Sequence, residues 1–226
     1  GEFPLADDDT IIPFHLAEAA QHRDVQVSEE TAIVWGLDVA RFGTDATALC
    51  KRQGPIVTEL RSWRGLDLMQ TVGRVVAEYE ALPDSRKPRE ILVDSIGVGS
   101  GVVDRLQELE LPVRGVNVAE APSMGETYLN LRSELWFKTK GWLEDRSCKL
   151  PSNDQLIAEL TSIRYSFTSS GKMKAESKDE MRKRGLQSPD LADALCLTMA
   201  SDAVTALSGK FNAWRGEIRR NLRGIA

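Results

Sequence analysis

The chain has 226 residues, of which 42% are hydrophobic, and this length is sufficient for one sizeable core. Its formal net charge of −5 argues mildly against a protein that coats nucleic acid, since phosphate contacts usually come from a strong excess of lysine and arginine. The sequence has neither an apolar run of about 20 residues that could span a bilayer nor the basic start and apolar core of a signal peptide. We therefore expect a soluble intracellular protein with one folded domain and no membrane contact.

The first part of the chain changes character at residue 31. Residues 1–30 contain two prolines and an acidic run, which is typical of a linker or arm. Three strand-like runs separated by glycine-containing turns follow, and they predict an antiparallel meander. Next come an amphipathic helix over residues 68–82, a buried strand over residues 90–94, a second helix, and a strand over residues 113–118. The order strand, helix, strand predicts a parallel crossover on a mixed sheet.

The second half is predicted to be mainly helical. Residues 126–143 and 154–163 have helical patterns, residues 165–174 are typical of a hairpin, and a last helix is expected from residue 188 to about residue 207. The residues after 208 carry four arginines and one lysine. We therefore divide the chain into an arm, an α/β domain and a basic tail, over residues 1–30, 31–207 and 208–226.

Three acidic motifs are the candidates for chemistry. Asp38 and Asp94 each end an apolar strand, while Asp190 lies in the first turn of the last helix and Asp193 follows three residues on, on the same face. Carboxylates in such places can converge on a divalent metal. Each also has a structural alternative, because aspartates favour turns and acids are stabilised at helix N-termini. Asp190 and Asp193 are alternative or joint candidates.

Taken together, these motifs resemble the C-terminal nuclease domain of the large terminase subunit of tailed bacteriophages, which has the ribonuclease H-like fold. The resemblance covers about residues 31–207. It implies an α/β protein with a ribonuclease H-like mixed β-sheet, in which an antiparallel meander and parallel strands are flanked by helices. The matching segments are GLDVARFGTD at 36–45, VD at 93–94 with the glycines at 97 and 99, KDEMRKR at 178–184 and SPDLADAL at 188–195.

The resemblance implies a metal-dependent endonuclease that cuts concatemeric double-stranded viral DNA during genome packaging. Two divalent cations, Mg²⁺ or Mn²⁺, would be held by the acids: Asp38 would bridge both, Asp94 would bind one and Asp190 the other, with Asp193 as alternative or helper. The implied partners are double-stranded DNA, the terminase ATPase domain, the small terminase subunit and the portal, in the cytoplasm of the host cell. The sequence has no GxxxxGK[ST] phosphate loop, so no ATP hydrolysis is expected.

A basic stretch between residues 164 and 184 is the candidate surface for DNA. Its hairpin and following helix would face the duplex, with positive side chains on the phosphates. A solvated charged face is the alternative for any one of these residues. The candidate phosphate contacts are Lys172, Lys174, Lys178 and Arg182.

Two other functions are compatible with parts of this pattern. Actin-like kinases and ATPases also place an aspartate and glycines in an early strand turn, but they need a duplicated domain and a second phosphate loop. A non-catalytic docking domain of a packaging machine would need no converging acids. Metal binding would separate the nuclease from the docking domain, and thermal stabilisation by ATP would favour the actin-like alternative.

Overall fold

The computed structural model describes residues 9–40 and 45–202. Five strands form a mixed sheet in the order β3-β2-β1-β4-β5, and two further strands form a separate hairpin. The elements in chain order are α1 (Phe14–Gln21), β1 (Ile33–Asp38), β2 (Thr47–Gln53), β3 (Ile56–Trp63), α2 (Leu68–Glu80), β4 (Glu90–Asp94), α3 (Val98–Glu108), β5 (Val113–Val116), α4 (Leu131–Glu144), α5 (Asp154–Ser162), β6 (Tyr165–Phe167), β7 (Met173–Ala175), α6 (Lys178–Lys183) and α7 (Asp190–Leu197).

The sheet confirms the predicted fold class. Strands β3, β2 and β1 form the antiparallel meander, and β1, β4 and β5 run parallel. Helices cover both faces: α2 and α3 pack with one side of the sheet, and α1, α4, α5 and α7 share the core on the other side. Because helices cover both faces of the sheet, the central strands β1 and β4 are buried along nearly their whole length and consist mainly of apolar residues.

Several element boundaries differ from the predicted ones. Helix α4 begins at Leu131 rather than at residue 126, because the Asn130 side chain accepts the Ser133 N–H and caps the helix there. Helix α7 ends at Leu197, where a short 3-10 turn takes over. Residues 208–226, predicted to be a basic tail, lie outside the described residues.

The predicted arm contributes to the core over its described part. Ile11 and Ile12 are fully buried, and α1 buries Ala17 and Ala20 in the same cluster. The backbone N–H of Ile11 donates to the carbonyl of Ile163 at 2.9 Å. Whether residues 1–30 also serve as a linker to another domain stays a prediction.

Gly36 sets the distance between helix α7 and the sheet. A Cβ atom at this position of β1 would lie only 2.0 Å from the Ala194 carbonyl oxygen of α7. Because that atom belongs to the backbone, it cannot swing away as a flexible side chain could. The absence of a side chain at residue 36 therefore allows α7 to lie directly on β1.

Gly36→Ala is expected to destabilise the domain by about 3 kcal/mol, because the new methyl group must push α7 away from the sheet. Urea unfolding followed by circular dichroism measures the loss. Gly73→Ala in α2 is the matched control: nothing lies within 4 Å of a Cβ at that position, and alanine is the better helix former, so it should stabilise the chain by up to about 1 kcal/mol. Equal effects of the two substitutions would contradict the close-packing argument.

Candidate metal centre

Asp38 and Asp94 emerge together at one edge of the sheet. Leu37 of β1 pairs with Val93 of the parallel strand β4, so the next residue of each strand is an aspartate at the carboxyl end of the sheet. The chain turns sharply after Asp94 through Gly97, whose φ of 64° favours glycine, and α3 then begins. Open α/β sheets place their sites at this edge.

Asp190 and Asp193 reach the same edge from helix α7. The close contact at Gly36 holds the helix against β1, and the backbone N–H of Ala46 donates to Asp190 Oδ2 at 2.7 Å. Both carboxylates are buried, as is that of Asp38. The structure therefore brings together acids that are separated by more than 150 positions in the sequence.

The ammonium group of Lys178 lies among these carboxylates. Its Nζ atom is 2.8 Å from Asp38 Oδ2, 3.6 Å from Asp190 Oδ1 and 3.5 Å from Asp193 Oδ2. Lys178 is the first residue of α6, which Ser177 and Glu180 begin with a reciprocal capping box. One monovalent cation thus offsets part of the negative charge of three buried acids.

Burial and mutual charge perturb the titration of the cluster. Burial raises the pKa of Asp38 above its ordinary value, and the charges of Asp193 and Asp190 add to this, while Lys178 opposes it. Burial also raises the pKa of Asp94, against the opposing charge of Lys178 and the hydrogen bond from the Ile96 N–H. Burial lowers the pKa of Lys178, but the neighbouring carboxylates outweigh burial and hold that pKa above its usual range. The lysine is therefore charged at neutral pH.

The two acids of α7 have different surroundings. Asp193 Oδ1 accepts hydrogen bonds from the Trp136 indole N–H at 2.9 Å and from Arg132 Nη2 at 3.1 Å. Burial would raise the pKa of Asp193, but the charges of Arg132 and Lys178 prevail and lower it. Asp193 is therefore an anchored, ionised carboxylate.

Asp190 keeps one oxygen without such an anchor. Within the described chain, its buried Oδ1 atom accepts no hydrogen bond of standard geometry, although the Ser188 hydroxyl is near enough to lower the carboxyl pKa against the dominant effect of burial. The ammonium group of Lys178, 3.6 Å from this oxygen, offsets its charge, since a buried carboxylate oxygen is costly without a donor or a cation. This oxygen could accept a different cation in place of the ammonium group.

The donor set fits a hard divalent cation, since Mg²⁺ and Mn²⁺ prefer carboxylate oxygens. Over residues 9–40 and 45–202, no group of three or more acidic, histidine or cysteine side chains has the spacing to hold a metal ion as it stands. The Lys178 ammonium group lies between three of these carboxylates. Metal binding would therefore require Lys178 to withdraw.

The four basic residues proposed to contact DNA have different surroundings. Lys178 lies in the acidic cluster. Lys174 pairs with Glu180 at 2.8 Å, and Arg182 bridges Asp45 at 2.7 Å and Asp179 at 2.8 Å. Lys172 lies in the turn that leads into β7.

Sequence reasoning missed the cations of the centre. The basic stretch predicts that Lys178 contacts DNA, although its place beside a Ser-x-x-Glu capping box inside the matching segment 178–184 is a signal for a different role. The sequence patterns single out neither Arg132 nor Trp136 as a site residue. Their spacing of four residues puts them on one face of α4, but nothing in the sequence indicates that this face meets Asp193.

Comparison with solved structures identifies the class of fold. The nuclease domain of the large terminase subunit of bacterial virus Sf6, solved with manganese and beta-thujaplicinol, matches at a TM-score of 0.74 and 22% identity, over 85% of this chain and 99% of that one. The large terminase nuclease of thermophilic phage G20c with bound cobalt matches at a TM-score of 0.62 and 16% identity, over 85% and 97% of the two chains. The fold is therefore that of terminase nuclease domains, of the ribonuclease H-like class.

Sequence comparison points to the same proteins. A probable terminase large subunit of Enterobacteria phage P7 is 24% identical over 216 residues, which cover 90% of this chain and 44% of that protein. The chain thus spans less than half the length of this curated relative. No protein-family model matches the chain. The resemblance to the nuclease domain of large terminase subunits, predicted from the acidic motifs, is confirmed.

One carboxylate near the centre is expected to make stability depend on pH. Glu159 of α5 accepts the backbone N–H of Ala192 in α7 at 3.0 Å and the side-chain amide of Gln155 at 2.8 Å. Burial nevertheless raises the pKa of Glu159 from its ordinary 4.5 to about 7. The folded chain therefore binds a proton at this carboxyl group more tightly than the unfolded chain does.

Glu159→Gln is expected to stabilise the fold at about pH 8 and to change it little at about pH 4. Because the folded pKa is raised from 4.5 to about 7, the wild type loses stability as the pH rises through this window, by up to about 3 kcal/mol. The amide side chain carries no charge and avoids this loss. Urea unfolding of both proteins in EDTA at several pH values measures the difference, and a difference that is constant with pH would contradict the prediction.

Proposed function

We propose that this chain is a divalent-metal-dependent endonuclease that cuts double-stranded DNA, in the manner of a terminase nuclease domain. The observation that carries the proposal is the convergence of three buried carboxylates on one ammonium group at the carboxyl edge of the sheet. Carboxylates that surround the ammonium group of Lys178 have the charge and the oxygen atoms to bind a divalent metal ion in its place. The metal-bound terminase nucleases of the same fold support this conclusion.

Each acid of the cluster has a proposed role in metal binding. Asp38, Asp94 and Asp190 would hold two divalent cations, Mg²⁺ or Mn²⁺. Bound there, such ions lower the pKa of an attacking water and stabilise the leaving oxygen of the phosphodiester. Asp193, anchored by Arg132 and Trp136, would contribute its Oδ2 atom as a helper.

The DNA would lie over the edge of the sheet, beside the hairpin and α6. Lys172, Lys174 and Arg182 are the candidate phosphate contacts. Lys174 and Arg182 are held by acidic neighbours and would have to exchange these for phosphate oxygens. Such exchange gains little free energy, which agrees with the acidic overall charge and suggests that DNA affinity comes largely from other parts of the machine.

The similarity to large terminase subunits supports a role in viral genome packaging. As the nuclease of a large terminase, the chain would resolve concatemeric viral DNA in the host cytoplasm, together with an ATPase domain, a small terminase subunit and a portal. No helix in the described part of the chain is long and apolar enough to cross a membrane.

Cleavage of supercoiled plasmid tests the activity. The purified chain is incubated with Mn²⁺, with Mg²⁺ or with EDTA, and the plasmid forms are separated on a gel. Cutting with the metals and none with EDTA is the expected result. Equal cutting with EDTA would refute metal dependence. Absence of both cutting and saturable Mn²⁺ binding would refute the proposal and favour a non-catalytic docking domain.

A further inference from the structure

Arg132 of helix α4 is hydrogen-bonded to Asp193 of the acidic cluster. This residue of α4 is largely buried, and its Nη2 atom lies 3.1 Å from Asp193 Oδ1 and 3.3 Å from Asp193 Oδ2. Trp136, one turn further along α4 and fully buried, donates to the same carboxylate at 2.9 Å. Three hydrogen bonds from one helix face therefore fix the orientation of Asp193.

The other arm of the guanidinium reaches a different element. Arg132 Nη1 donates to the backbone carbonyl of Glu176 at 2.6 Å. Glu176 lies between β7 and the N-cap of α6, two residues before Lys178. One planar side chain thus joins α7, which carries two of the acids, to the segment that carries the lysine.

The two cationic side chains of the centre, Lys178 and Arg132, differ in how firmly they are held in place. Lys178 has a flexible stem and a single ammonium group, which a divalent ion can displace. Arg132 makes directed bonds to two elements and neighbours the buried Trp136 ring at 5.8 Å. Arg132 can therefore remain in place while the contacts of Lys178 change.

We propose that Arg132 is the positioning residue of the metal centre. It acts through Asp193: it neutralises that carboxylate, points Oδ2 at the site, and leaves the remaining acids to the divalent ions. This inference rests on the proposed function, because it requires that the centre bind metal. Partners that orient metal ligands commonly change metal affinity by about 10- to 100-fold when removed.

Isothermal titration of the folded chain with Mn²⁺ alone tests the inference. Arg132→Met is expected to weaken Mn²⁺ binding about 10- to 100-fold. Trp136→Phe, which removes one of the three hydrogen bonds to Asp193, is expected to weaken it to a smaller extent. Arg114→Met is the matched control: Arg114 also pairs with one carboxylate, that of Glu90, and donates to one carbonyl, that of Ala200, so its removal should leave Mn²⁺ binding unchanged.

The outcomes separate the inference from the proposed function. If the wild type binds Mn²⁺ and Arg132→Met binds it equally well, Arg132 has only a structural role and the inference is overturned. Equal weakening in Arg114→Met would overturn it too. If Arg132→Met does not fold, Trp136→Phe decides, and unchanged binding in that variant rejects the inference. Absence of saturable binding by the wild type would instead refute the proposed function, and the inference with it.

Discussion

Asp38→Asn is expected to reduce metal-dependent plasmid cleavage by at least about 100-fold. Loss of a residue that only orients a metal ligand can cost that much, and Asp38 is proposed to bind metal directly. The amide keeps the shape of the side chain but removes its charge and one acceptor oxygen. Initial rates of plasmid nicking in Mn²⁺ measure the effect.

The control for this prediction is another aspartate of the same domain. Asp104→Asn makes the same replacement of a carboxylate by an amide at an exposed residue of α3. It should cut plasmid at the wild-type rate, and circular dichroism should show that both variants are folded. A folded Asp38→Asn variant with wild-type cleavage would refute the assignment of the metal centre.

Lys178→Met is expected to destabilise the metal-free domain by about 3–5 kcal/mol. The Lys178 side chain is 32% exposed, but the three carboxylates that it contacts are buried, and its removal would leave their charge uncompensated. Saturating Mn²⁺ should recover much of this loss, because a divalent ion that binds the folded state supplies the missing charge. Urea unfolding in EDTA and in Mn²⁺ measures both quantities.

A lysine outside the cluster provides the control. Lys174 makes a half-exposed pair with Glu180, so Lys174→Met should cost no more than about 1 kcal/mol and should not respond differently to Mn²⁺. If Lys178→Met loses the same free energy with and without metal, the lysine fills space in the core and does not compete with a cation.

The sheet and the carboxylates could be predicted because their signals are local. Apolar runs of strand length predicted the central strands, and the aspartate that ends each of β1 and β4 lies at the predicted edge. A serine, a proline and two acids marked the start of α7. In these segments, local preference and tertiary structure agree.

The environment of the centre could not be predicted, because it depends on which faces of distant elements meet. Lys178 and Asp38 are 140 residues apart, and Arg132 and Asp193 are 61 residues apart. A lysine in a basic stretch has the same sequence pattern whether it faces solvent or a cluster of buried carboxylates. The choice between Asp190 and Asp193 likewise depended on the donors of α4, which only the packed structure reveals.

The close contact at Gly36 affects how mutants of this protein should be interpreted. A larger residue there would separate α7 from β1 and spread Asp190 and Asp193 away from Asp38, without altering any acid. If the proposed function holds, a genetic screen for loss of cutting would therefore recover residue 36 alongside the proposed metal ligands, although residue 36 has no functional group. Second-site changes that shrink α7 near Ala194 cannot compensate, because the obstructing atom is a backbone carbonyl oxygen.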